Sequence, residues 1–452
     1  MIHENKKMET SVIEEKEMPG PNAKELIERS SECFSSRQLH YKAFSEYRGA
    51  IIKDVDGNTF LNFTDSTNPL GGCHPEIINA IQNQINKLIH ISGATALYEP
   101  YVKLAEVLKE ILPYSNKRDI KIVYCVTGTE ACDYAIQLAK FHTDRNIILC
   151  YLGAFHGRTG TTLGVTTSEA KLRQYNKQII SNIIYLPYPY CFRCNFGKEY
   201  HECNFECIKY ISNLFETAAI PTDVAGIILE PIQIHGGVIE PPKEYLPLIK
   251  KICRQYGIMI IDDEVYTGFC KTGKFFAIEH SGIEPDIVCL GKPMGGGMPI
   301  AAISANKEVI DPWELPYYGS LGSFAGHPVS CMTALTNIQV LQKEKIVENA
   351  AKIGNIIIKE LRDISTENEI IGEVRGRGLL IGIELVKNHH SKSPAIEEAK
   401  KIARMAMKKG LLIGRSGLYR HVLKLTPPLT ITKEEAEKAL EILKGSLSEI
   451  KN

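Results

Sequence analysis

"IKIVYCVTGTEACDYAIQLAKFH", residues 120 to 142, changes its hydrophobic period midway. It begins as a short β-branched apolar run, passes through Thr127, Gly128 and Thr129, and continues with apolar side chains at helical spacing. A strand that turns directly into a helix is the repeating unit of a mostly parallel sheet. The same alternation continues through "NIILCYL" (146–152), "VAGIILE" (224–230), "YLPLIKKICRQYG" (245–257), "IMIID" (258–262), "DIVCL" (286–290) and "AAISA" (301–305). Short buried strands between amphipathic helices predict an α/β protein of βαβ units. Beyond a long helical region at 326–364, the pattern becomes "VRGRGLLIGIELV", a helix near 394–409, "VLKLTPPLTI" and a last helix near 433–448, which reads as a smaller α+β domain. The expected limits are a disordered leader (1–20), an N-terminal segment packing on the small domain (21–70), a large domain (71–335) and a small C-terminal domain (336–452). The 335–345 helix is the expected tether. No internal repeat or low-complexity tract is present.

At 452 residues the chain exceeds one small core and is expected to divide into two units. Lys+Arg 53 balances Asp+Glu 53, so no net field gathers nucleic acid or an anionic membrane. The start, "MIHENKKMETSVIEEKEMPGP", is too charged for a secretory signal, and apolar runs never reach the roughly eighteen residues a membrane span needs. A cytoplasmic protein is expected. Of the 13 cysteines, Cys125, Cys150, Cys253 and Cys289 sit singly in apolar runs and are predicted core residues.

Two further stretches carry chemistry. "IIDDEVYTGF" (260–269) drives an apolar run into Asp262, Asp263 and Glu264, and "GKPMGGGMP" (291–299) sets Lys292 ahead of Gly295, Gly296 and Gly297. Functional groups of an open parallel sheet act at the carboxyl ends of its strands, where both stretches fall. Asp263 as a helix cap and Lys292 as a solvated loop charge are the plain alternatives. The glycines weaken the second, since they keep bulky side chains away from the amine. A sheltered amine forms Schiff bases, and a carboxylate facing a pyridine nitrogen keeps that nitrogen protonated, the arrangement that pyridoxal phosphate needs. The Thr127-Gly128-Thr129 turn then offers an anion site at a helix N-terminus.

With these residues the sequence resembles the class III pyridoxal-phosphate-dependent aminotransferases of fold type I, the group of ornithine and 4-aminobutyrate aminotransferases. The resemblance runs from about residue 20 to the C-terminus and adds "DVDGNTFLNF", "CHPEI", "TGTEA", "FHGRTG", "EPIQ", "VRGRGLLIGIELV" and "LTPPLTIT", in family order. It implies a large, mostly parallel sheet domain of the seven-stranded type with a smaller α+β domain, and pyridoxal 5'-phosphate as cofactor. It makes Lys292 the Schiff-base lysine, Asp263 the partner of the pyridine nitrogen, and Val265 and Phe155 the residues on the two ring faces, with His156 adjacent. Gly128 and Thr129 match the phosphate binders. Ser323 matches a residue that reaches the neighbouring subunit's phosphate, which implies a homodimer with shared active sites or a higher oligomer built from it. Glu230 matches an active-site glutamate, with a strand-end structural role as the alternative.

Three positions depart from the family. Tyr266 stands where a glutamine contacts the ring oxygen, and a phenol can still donate that bond. His235 and Lys424 replace the glutamate and arginine with which many members recognise two substrates, and a lysine is a point charge where arginine is a planar fork. The implied reaction is transfer of an amino group from an amino acid or ω-amino donor to a 2-oxo acid, 2-oxoglutarate being the expected acceptor. Amino-acid racemisation or epimerisation on the same scaffold is the alternative; it needs a second acid/base, for which Tyr266 and His156 are candidates. No metal ligand is assigned to the reaction. "YCFRCNFGKEYHECNFECI" (190–208) nevertheless brings Cys191, Cys194, Cys203 and Cys207 close in sequence, a pattern open to zinc, a redox disulfide or reduced thiols, with His201 as a spare ligand. "RGRGLLIG" (375–382) misses the G-x-G-x-x-G spacing and reads as a strand-to-strand turn.

Overall fold

The computed structural model describes residues 18–35, 42–174, 182–313 and 322–450. All but the last three residues of the expected leader lie outside them. Among the described residues the strands are β1 (Phe44–Arg48), β2 (Ile51–Asp54), β3 (Thr59–Phe63), β4 (Ile120–Cys125), β5 (Ile147–Tyr151), β6 (Ile183–Leu186), β7 (Val224–Leu229), β8 (Met259–Asp263), β9 (Ile287–Leu290), β10 (Ala301–Asn306), β11 (Ile371–Arg377), β12 (Leu380–Leu385), β13 (Leu411–Ser416) and β14 (Val422–Leu425). They form two seven-stranded sheets, ordered β4-β10-β9-β8-β7-β5-β6 and β1-β2-β3-β13-β14-β12-β11.

In the first sheet β6, β5, β7, β8 and β9 pair in parallel, while β10 runs antiparallel to both β9 and β4. Two reversals restore direction, so β4 ends at the same edge as β8 and β9. Every residue of β7, β8 and β9 is buried, as expected of strands covered on both faces. Successive side chains point to opposite faces. Ile227, Leu229, Ile260 and Val288 join the core that also contains the long helices Pro328–Lys343 and Ile346–Thr366, whereas Ile228, Met259, Ile261 and Ile287 pack under the helix Gly128–Thr143. The four predicted core cysteines are all buried.

The second sheet is mostly antiparallel, with β3 and β13 its one parallel pair. Strands from residues 44–63 therefore complete a sheet whose other members follow residue 370. The "RGRGLLIG" stretch forms the β11–β12 hairpin. Gly378 in its turn has φ +53, and an added Cβ would stand 2.6 Å from the Thr272 carbonyl carbon. The helical region 326–364 is two helices, not one, because Lys345 adopts a left-handed conformation (φ 52) between them. No helix among the described residues is long and apolar enough to cross a membrane.

Candidate active site

At the common edge of β4, β8 and β9 lies a cavity of about 110 Å³. Gly128, Thr129, Phe155, His156, Glu230, His235, Asp263, Val265, Tyr266 and Lys292 all line it, together with Ile234. Asp263 is the last residue of β8 and pairs across with Cys289 of β9, three residues before Lys292. The lysine sits at φ 36, a left-handed conformation that side-chain-bearing residues adopt only under constraint from their surroundings.

The turn after β4 is fixed by a capping box: Thr127 Oγ1 accepts from the Glu130 N–H (3.2 Å) and Glu130 Oε2 accepts from the Thr127 N–H (2.8 Å). Capping leaves other first-turn N–H groups of the helix Gly128–Thr143 without intrahelical partners beside the cavity. At Gly128 an added Cβ would stand 2.4 Å from Val265 Cγ1, so only glycine keeps this corner open.

Asp263 is 4% exposed and held on both oxygens. Oδ2 lies 2.7 Å from His156 Nδ1 and 3.4 Å from the Cys132 thiol, and Oδ1 accepts from the Val265 N–H at 3.0 Å. Burial alone would discharge His156, yet its bond to Asp263 outweighs that and raises the imidazole to about 10. His156 therefore stands as a cation against Asp263, and its buried Nε2 has no hydrogen-bond partner among the described residues. Glu230 accepts from the Phe155 and Ile234 N–H groups, each at 3.0 Å, and burial raises it to about 7. It thereby ties together the loops that carry Phe155 and His235. Those two rings stack at 4.2 Å between centroids and 16° between planes. Burial, reinforced by surrounding cations that include Lys292 and Lys424, lowers His235 to about 3, so it is a neutral imidazole.

Tyr266, also in the lining, has three lysines around it. Lys424 Nζ donates to its hydroxyl at 2.9 Å, and the Lys292 and Lys271 amines lie 4.7 and 5.7 Å from its ring centroid. Burial raises this phenol, but Lys424 and Lys271 above all pull it down, to about 8. Lys424 thus reaches the cavity through Tyr266 and is not part of its lining. Ser323 is exposed and lies outside the lining.

A pocket that offers an amine, a carboxylate on a charged buried histidine, helix N–H groups and apolar walls has the donor set for pyridoxal phosphate. The sequence profile of the class III aminotransferases matches residues 34–447. The chain belongs to this family. Class III aminotransferases are pyridoxal-phosphate enzymes, and this chain is one of them. Its curated relatives include a leucine/methionine racemase of Thermococcus litoralis, 35% identical over 94% of this chain and 96% of the relative. Another is a 5-aminovalerate aminotransferase of Pseudomonas aeruginosa, 33% identical over 91% of this chain and 95% of that one. A solved Bacillus anthracis aminotransferase superposes with a TM-score of 0.86 at 25% identity, covering 95% of this chain and 99% of its own.

Two residues beside this cavity escaped the sequence reading. Lys271 is 2% exposed and donates to the Asp65 carbonyl at 3.3 Å; its only sequence signal is a lysine inside the otherwise uncharged run "YTGFCKTG". Cys132, one helical turn past Gly128, carries no signal at all, since a cysteine on the apolar face of a helix reads as core.

Proposed function

We propose that this class III enzyme moves an amino group from an amino acid or ω-amino donor to a 2-oxo acid, with 2-oxoglutarate as acceptor. The observation that carries the reading is the convergence of Lys292 and Asp263 on one cavity from adjacent parallel strands. Pyridoxal phosphate, when bound, supplies an aldehyde for amines and a ring that draws electrons from the substrate Cα–H bond. Gly128 and Thr129 are assigned to its phosphate, Val265 and Phe155 to its ring faces and Asp263 to its ring nitrogen. Lys292 Nζ is the base that takes the Cα proton and delivers it to the acceptor carbon. The Asp263–His156 pair holds charge in place before reaction, so no solvent must reorganise around it. Lys424 is assigned to a substrate carboxylate, with neutral His235 beside it. We further assign the working unit as a cytoplasmic homodimer, in which the exposed Ser323 of each chain reaches the phosphate of the other.

Tyr266 ties this assignment to pH. Above about 8 the phenolate competes with substrate for the Lys424 charge. The KM for a carboxylate substrate is expected to rise above that pH, by up to about tenfold per pH unit, while kcat changes less. In Tyr266→Phe the rise should vanish. A profile identical in both proteins would remove Lys424 from the assignment.

Racemisation is a second reading, favoured by the same phenol: a group that titrates near neutrality beside Lys292 can trade a proton at Cα. The two are separated by incubating the holoenzyme with L-amino acids in deuterated water, with and without 2-oxoglutarate. Keto acid in excess of one equivalent per active site is expected only with acceptor. Accumulation of the deuterated D-isomer without acceptor would overturn transamination in favour of racemisation.

A further inference from the structure

The connection between β6 and the helix Glu206–Thr217 carries a second cluster of reactive side chains, one the transamination site does not use. Cys191 and Cys194 flank a short 3-10 turn, Cys203 follows a loop, and Cys207 lies in the first turn of the helix. All four are half-buried free thiols, and all four line one cavity of about 30 Å³. Its remaining wall is largely aromatic, with Tyr188, Tyr190, Phe196 and Phe205 among it. Asn204 and Phe205 both take left-handed backbone conformations (φ 43 and 52), and this reversal returns Cys207 to the cavity that Cys203 faces.

We propose that Cys191, Cys194, Cys203 and Cys207 bind one zinc ion as four thiolates. The donor set is all sulfur at spacings of two, eight and three intervening residues, which suits a closed tetrahedral zinc site. Among the described residues only Cys132, His156 and Asp263 hold ligand atoms all within 4.8 Å of one another, so the four loop thiols must rotate inward onto the ion. Binding releases four protons and leaves a net charge of minus two on the metal with its sulfurs. Lys198 and Glu206 also line the cavity.

The consequence is a fastened strut. The segment between the first two cysteines carries Arg193 and Phe192; Arg193 pairs with the buried Glu384 of β12, and the Phe192 carbonyl accepts from Lys392 Nζ at 3.0 Å. Tyr190, immediately before Cys191, donates to the same Glu384. Fixing the cysteines therefore fixes a contact between the connection after β6 and the second sheet.

The test uses the full chain, reduced and stripped of metal, titrated first with Co²⁺. The expected result is saturation at one equivalent with the strong charge-transfer absorption of cobalt thiolates, displaced by one equivalent of Zn²⁺. Zinc should also protect the 191–207 segment from protease. Cys194→Ser combined with Cys203→Ser should abolish the uptake, and Lys292→Ala should retain it. Failure of the reduced wild-type chain to take up either metal overturns the site whether or not the double variant folds. So does cobalt binding without thiolate absorption, or with uptake unchanged in the double variant.

Discussion

Lys292→Ala is expected to lower kcat by about 10⁴-fold, the upper end of what a positioned general base contributes, because the amine is assigned both the covalent hold on the cofactor and the Cα proton. The loss should fall on kcat more than on KM, since the carboxylate contacts assigned to Lys424 and the walls of the cavity remain. Stability should fall only modestly: what the substitution removes is the contact of the amine with the buried Tyr266 ring, 4.7 Å from its centroid, worth about 1–2 kcal/mol. Steady-state kinetics with thermal melting of the same preparation checks both halves. Turnover within tenfold of wild type would mean that another amine does the work, and Lys271 and Lys424 are the ones near enough to Tyr266 to be considered.

Asp263→Asn is the second large effect, and it reaches stability as well as rate. The substitution leaves His156 buried without its counter-charge. Breaking a buried pair in this way costs about 3 kcal/mol, the low end of the range, because an imidazole can shed its proton. The rate should fall by about 10²–10³-fold as the charge assigned to the cofactor's ring nitrogen is lost. The pH dependence has a definite sign. His156 is raised from 6.5 to about 10, so its contribution to stability is fully present below about 6.5 and is lost as pH rises through about 10. Wild-type melting temperature should therefore decline between those values, and the decline should flatten in Asp263→Asn. Parallel slopes in the two proteins would show that the His156–Asp263 bond carries no linkage.

Much of the first sheet was legible because strands buried on both faces read as nearly continuous apolar runs. "VAGIILE" and "IMIID" admit few other readings, and the final helix begins where expected since Thr432 and Glu435 form its capping box. The orientation of β10 was not legible: "AAISA" is as apolar as its parallel neighbours, and strand direction is set by connections, not by composition. The break at Lys345 was hidden for a related reason, since neither glycine nor proline marks it. Strands β1 to β3 are short and half polar, and they become a sheet only against β13, some 350 residues later.

Within the site, the residues named from sequence were those whose local context is unusual: an acid ending an apolar run, a lysine ahead of glycines. What sequence could not supply was the third dimension of the charge distribution. Three lysines from separate segments surround Tyr266, and that convergence, not any local motif, sets its titration near 8. The same holds for Glu230, whose two oxygens bind N–H groups from residues 155 and 234; its role in positioning both loops follows from where the chain returns.

The central claim is that the amine of residue 292 is the covalent anchor of the cofactor, and it has a direct measurement. Holoenzyme is treated with borohydride, which makes an imine linkage permanent, then digested and mapped by mass spectrometry. The account predicts a pyridoxyl phosphate group on the peptide that contains Lys292 and on no other. Attachment at Lys271 or Lys424, or cofactor released unattached, would contradict it.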